Sequence, residues 1–184
     1  MKLDKKGFTV IELILSFVLV MFLALGLFTL VNNYKNKQQT ESTKRELLAF
    51  QNKLTQDIYE DILERKLDYI RYCTDASAQV IPQCVNIRFS DGKEKQLKVV
   101  TTRKTTTEDG TTFEYDTFYI LYGGVKYENP EPKFAKVVND YILTLTYPED
   151  SLEYGVIYRL KIRIDHQDID DEYVIDVVAT GVNR

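Results

Sequence analysis

The sequence predicts an α+β protein: one long N-terminal helix laid against an antiparallel β-sheet. Three observations predict it. Nearly all the continuous apolar character lies between Phe8 and Val31, although the mean hydropathy of the whole chain is only -0.28. A stripe of apolar residues at helical spacing follows from Leu47. Beyond Ile81 the texture changes to short Tyr-, Thr-, Val- and Ile-rich runs separated by turn residues, as strands require. The 184 residues suit one domain plus an appendage, and the soluble remainder is long enough to bury a core. With 13 Tyr, 9 Phe and no Trp, aromatic packing is expected to fill much of it. A net charge of -4 and a pI near 5.2 argue against a protein dominated by phosphate contacts.

The first element is apolar from Leu13 to Val31, about the length that crosses a hydrocarbon core as a helix. Lys2, Lys5 and Lys6 precede it and no comparable basic cluster follows at once, so the N-terminus is expected in the cytoplasm and the bulk of the chain outside. An ordinary secretory signal would be shorter and would end near Ala24-Leu25-Gly26, yet the apolar run continues past that point. A plain signal anchor fits length and flanks but leaves Glu12 unexplained. A charged side chain within a membrane span costs about 2.5–3.5 kcal/mol on insertion scales, so this carboxylate needs a partner.

The helix is expected to continue. Asn32 to Thr43 holds no Gly or Pro, and Leu47, Phe50, Leu54, Ile58 and Ile62 recur at three- or four-residue steps, followed by Leu63, Leu67 and Ile70. This reads as one helix from Phe8 to about Arg71, half apolar throughout and half amphipathic, the stripe packing on a core rather than forming a coiled-coil seam. Strands are expected at Val85–Phe89 and Lys95–Thr101 around Ser90-Asp91-Gly92, and at Thr111–Tyr122 after Glu108-Asp109-Gly110. Further strands are expected at Tyr141–Tyr147, at Val156–Ile164 and at Tyr173–Ala179. In Val156–Ile164 the residues Tyr158, Leu160, Ile162 and Ile164 share one face. Asn129-Pro130-Glu131-Pro132 marks a loop.

Lys5-Lys6-Gly7 followed by Phe8-Thr9-Val10-Ile11-Glu12 resembles the prepilin-type N-terminus of type IV pilins and of the pseudopilins of type II secretion and competence systems. The resemblance implies a leader at 1–7, a filament-core transmembrane helix at 8–31 and a globular domain at 32–184. It implies cleavage between Gly7 and Phe8 by a prepilin peptidase and N-methylation of Phe8. It also gives Glu12 its partner, the new ammonium of Phe8, paired between neighbouring subunits during assembly. The implied partners are other pilin or pseudopilin subunits, the peptidase, an inner-membrane assembly platform and lipid. Many major pilins carry a kinking proline in the apolar segment, and none occurs here before Pro82, which favours a minor pilin or a pseudopilin. The segment Lys44–Leu48 through Leu54–Ile58 is also similar to the J-type minor pseudopilins.

Other constellations point elsewhere only weakly. Cys73 and Cys84 are the only cysteines, and an even number in an exported segment favours a disulfide over two buried thiols. With no histidine nearby they make a poor zinc site. His166, the sole histidine, lies in Asp165-His166-Gln167-Asp168-Ile169-Asp170-Asp171-Glu172, which has oxygen ligands for calcium but lacks the EF-hand spacing and reads as a solvated turn. Lys93, Lys95, Lys98, Arg103 and Lys104 gather on one hairpin near Tyr115, Phe118, Tyr119 and Tyr122. They form a candidate DNA surface that reads better as the wet side of an edge hairpin over a core. No nucleophile motif, P-loop or dinucleotide fingerprint occurs, so no enzyme activity, metal or cofactor is expected.

Overall fold

The structure, a computed structural model, describes residues 9–128, 135–139, 141–146 and 156–181. Its single long helix, α1, spans Val10–Arg65. The chain divides into two compact units, Met1–Glu41 and Ser42–Arg184. In the first, α1 is the only described element, and its large apolar side chains from Val10 to Val31 are exposed. In the second, α1 buries Leu47, Phe50, Leu54 and Ile58, the anticipated stripe, in one hydrophobic core with the strands.

The helix stops at Arg65, six residues short of the expected Arg71. Lys66 adopts φ 56°, a left-handed conformation that ends a helix. Its N–H still reaches Ile62 O at 2.9 Å, while its carbonyl accepts the Ser90 N–H at 2.9 Å, which turns the chain into a sheet. Leu67 and Ile70, assigned to the helix by spacing, belong instead to β1 (Leu67–Thr74). Register shifts at Leu67/Tyr69 and Tyr72/Cys73 interrupt the pairing of β1 with β2. The first puts an extra residue in β1 between Leu67 and Tyr69, the second puts its extra residues in β2 between Ile81 and Val85, and the buried positions of β1, namely Leu67, Ile70 and Cys73, fall three residues apart. That step imitates a helix.

The strands form two antiparallel sheets where a single sheet was expected. The first is a meander of β1, β2 (Val80–Phe89), β3 (Glu94–Glu108), β4 (Thr111–Tyr122) and β5 (Val125–Glu128) in sequence order. Positive φ at Asp109 and Gly110, and at Gly123 and Gly124, gives the two-residue turns that match the right-handed twist of β3–β4 and β4–β5. The second sheet is centred on β8 (Val156–His166), with β9 (Tyr173–Gly181) on one side and β6 (Ala135–Val137) and β7 (Leu143–Thr146) along the other. Tyr158, Leu160, Ile162 and Ile164 of β8 are all buried, as the alternation anticipates. A disulfide joins Cys73 of β1 to Cys84 of β2, closing a loop whose restriction in the unfolded chain stabilises by about 3 kcal/mol.

Candidate functional site

The first candidate site is the start of α1. Thr9 precedes the helix and Glu12 occupies its first turn, and the two form a reciprocal capping box. Glu12 Oε2 accepts hydrogen bonds from the Thr9 N–H at 2.9 Å and the Thr9 hydroxyl at 3.0 Å. The Glu12 N–H approaches Thr9 Oγ1 at 3.4 Å. The carboxylate also sits at the positive end of the helix dipole. This Thr-x-x-Glu pattern stands in the sequence and is a partner for Glu12 that the reading of that residue missed. Gly7 and Phe8 lie outside the described residues, and so does any contact of Glu12 with the Phe8 amine.

Further along the apolar segment, Ser16 Oγ donates to Glu12 O at 2.8 Å and Thr29 Oγ1 to Leu25 O at 2.9 Å. Both hydroxyls are thus satisfied within the helix, as an apolar surrounding requires. From Val10 to Val31 the helix is about 33 Å long at 1.5 Å per residue, close to the thickness of a hydrocarbon core. Among the described residues α1 is the one helix long and apolar enough to cross a membrane.

The second site is a polar clasp between α1 and the sheets within the Ser42–Arg184 unit. Asp61 is buried where the apolar stripe meets β3 and β4. Its Oδ2 accepts from Lys95 Nζ at 2.5 Å and from the Tyr122 hydroxyl at 2.7 Å, and Arg65 Nε lies 3.8 Å from Oδ1. Lys95 also lies 5.2 Å from the centre of the Tyr122 ring. Burial first, then the bond to Asp61, holds the Tyr122 phenol firmly protonated. One turn earlier the Tyr127 hydroxyl donates to Asp57, and burial followed by that carboxylate raises the Tyr127 pKa as well. The helix is tied to the second sheet by Tyr173 Oη donating to Gln51 Oε1 at 2.7 Å and by Thr43 Oγ1 donating to Asp168 Oδ2 at 3.2 Å. Tyr59 adds a hydroxyl that bonds both the carbonyl and the N–H of Val178 on the edge strand β9.

The other singled-out residues do not come together as sites. His166 is buried, and its Nδ1 accepts the Asp168 N–H at 3.1 Å, so the ring is neutral with its proton on Nε2. Ile169 folds inward in the middle of the acidic turn. Among the described residues no group of three acidic, histidine or cysteine side chains is arranged to hold a metal ion. The basic hairpin is divided: Lys95 is committed to Asp61, and Arg103 to Asp116 at 3.1 Å and Glu114 at 3.9 Å. Phe118 and Tyr122 are core residues, Phe118 meeting Phe50 edge-on at 6.0 Å, and Tyr119 lies beneath Lys126 at 4.4 Å. No protein-family model, curated protein or solved structure matches the chain.

Proposed function

We propose that the chain is a structural subunit of a type IV pilus-like filament, a minor pilin, cut between Gly7 and Phe8 and assembled through its N-terminal helix. A single observation carries this reading: a carboxylate, Glu12, heads an exposed apolar helix of membrane length and has only the adjacent Thr9 as described partner. In the uncut chain the capping box satisfies Glu12 locally. Cleavage places an ammonium one residue before Thr9, and in low dielectric an ion pair with a neighbouring subunit's ammonium is stronger than the cap it replaces. The cap thus protects the carboxylate until a neighbour arrives, and the exposed apolar surface is covered first by lipid and then by other helices. The chain performs no catalysis in this reading and binds no cofactor. Its partners are other subunits, the prepilin peptidase and a membrane assembly platform.

The proline-free run of α1 supports a minor pilin and a pseudopilin of a secretion or DNA-uptake system equally. A tip adhesin has least support, because the described strands β5 to β9 belong to the same compact unit, Ser42–Arg184, as the rest of the head. The test is Glu12→Leu. It should leave the protein in the membrane fraction and remove it from sheared filaments, whereas Glu12→Asp should restore part of the assembly. Filament incorporation of Glu12→Leu at the level of the unaltered chain would overturn the proposal.

A further inference from the structure

An unpartnered basic and aromatic surface lies in the Met1–Glu41 unit, where α1 leaves its apolar run. After Val31 the sequence reads Asn32-Asn33-Tyr34-Lys35-Asn36-Lys37, with no Gly or Pro, and the helix carries these side chains onward at fixed spacing. Lys35 and Lys37 are exposed, and neither makes a hydrogen bond or ion pair among the described residues. No acidic residue stands between Glu12 and Glu41, so the two positive charges are unopposed along that stretch. Tyr34 is 73% exposed beside them.

Their depth follows from helix geometry. At 1.5 Å per residue Tyr34 stands about 4.5 Å past Val31, Lys35 about 6 Å and Lys37 about 9 Å. The headgroup layer extends about 5–7 Å beyond each edge of the hydrocarbon core. Cα–Cβ bonds lean toward the N-terminus of a helix, so both lysine side chains reach back toward Val31. Their stems can lie along the apolar run while the ammonium groups stay among the headgroups. Tyr34 sits at the boundary where an apolar ring with a polar tip is favoured. At 100° per residue Lys37, Tyr34 and Lys35 fan over an arc of about 160°. Leu27, Leu30 and Val31, all exposed, lie beneath them on the same side.

We infer that Lys35 and Lys37, with Tyr34 between them, bind the phosphate groups of anionic phospholipids in the leaflet from which α1 emerges. The inference rests on the membrane reading of α1 and names the lipid class which that reading leaves open. A lysine at an anionic surface gives about a fivefold preference, and two give about thirtyfold. A choline lipid carries the same phosphate but sets its own cation against it. The contact holds the subunit at one depth, and entry into a filament begins by breaking it.

The chain contains no tryptophan, so Tyr34→Trp places a single fluorophore in the site. The test reconstitutes this full-length variant in phosphatidylcholine vesicles. These contain either brominated phosphatidylglycerol or brominated phosphatidylcholine at the same mole fraction, and the quenching is compared. The expected result is a local preference for the glycerol lipid of about fivefold or more, falling to about one when Lys35→Gln and Lys37→Gln are added. Equal quenching by the two lipids before those changes would overturn the inference and leave α1 in the membrane. So would a preference that survives both lysine changes, since Lys2, Lys5 and Lys6 would then be its source. Quenching by neither lipid, in a chain that floats with the vesicles, would place residue 34 in water and overturn it as well. A chain that stays in solution would overturn the membrane reading along with it.

Discussion

Removing the Asp61 carboxylate is the most informative perturbation of the head domain. Asp61→Ala leaves the Tyr122 hydroxyl without its acceptor at a buried position, which costs about 1–3 kcal/mol. It also leaves Lys95 unpaired, though the lysine side chain is 30% exposed and its ammonium turns to water, so only part of the 3–5 kcal/mol typical of a broken buried pair applies. Together these give about 2–4 kcal/mol, or a midpoint roughly 4–16 °C lower for a domain of this size. Lys95→Met should cost less, since Asp61 keeps Tyr122 and Arg65. Tyr122→Phe should cost least, about 1 kcal/mol, because it removes one donor and keeps the ring in the core. The assay is thermal and urea unfolding of the detergent-solubilised chain followed by near-ultraviolet circular dichroism, where the buried tyrosines report packing. An Asp61→Ala protein within about 0.5 kcal/mol of the unaltered one, or more stable than Tyr122→Phe, would refute the reasoning.

Two further predictions follow from the same packing. Leu54 is fully buried and Leu63 is 80% exposed, so Leu54→Ala should destabilise by about 2–5 kcal/mol and Leu63→Ala by less than about 0.5 kcal/mol, as read from urea midpoints. Burial lowers the His166 pKa, with Asp168, Glu46 and Asp165 opposing it. The folded state thus binds the proton less readily than the unfolded chain, and His166 contributes stability above the ordinary value of 6.5 that is lost as pH falls through its folded pKa. Unfolding midpoints should drop on acidification below 6.5, and His166→Gln should drop less over the same interval. An equal drop in both would assign the effect to carboxylates.

Much of this architecture is legible in the sequence, for reasons visible at particular residues. Strict alternation in Val156–Ile164 survives because β8 is paired on both sides and bears no bulge. Asp109-Gly110 fixes the β3–β4 register, since few residue pairs accept two consecutive positive φ values. β1 was illegible because its pairing with β2 is irregular and its buried residues Leu67, Ile70 and Cys73 fall three apart, which imitates a helical period. β5 and β6 are too short to display any period. The clasp left a trace that went unread: Asp61 follows Leu54 and Ile58 at stripe spacing, and a carboxylate on the buried face of a helix calls for a cation or hydroxyl opposite. Its partners Lys95 and Tyr122 come from strands that only the fold brings together. Thr9 and Glu12 could be read from their spacing alone.

The central claim, that this chain is a processed filament subunit, is tested most directly by N-terminal mass spectrometry of the protein from cells with and without the prepilin peptidase. The account predicts a mature chain beginning at methylated Phe8 that is lost when the peptidase is absent. A chain still starting at Met1, or one cut near Gly26, would contradict it and leave a membrane-anchored or secreted α+β domain.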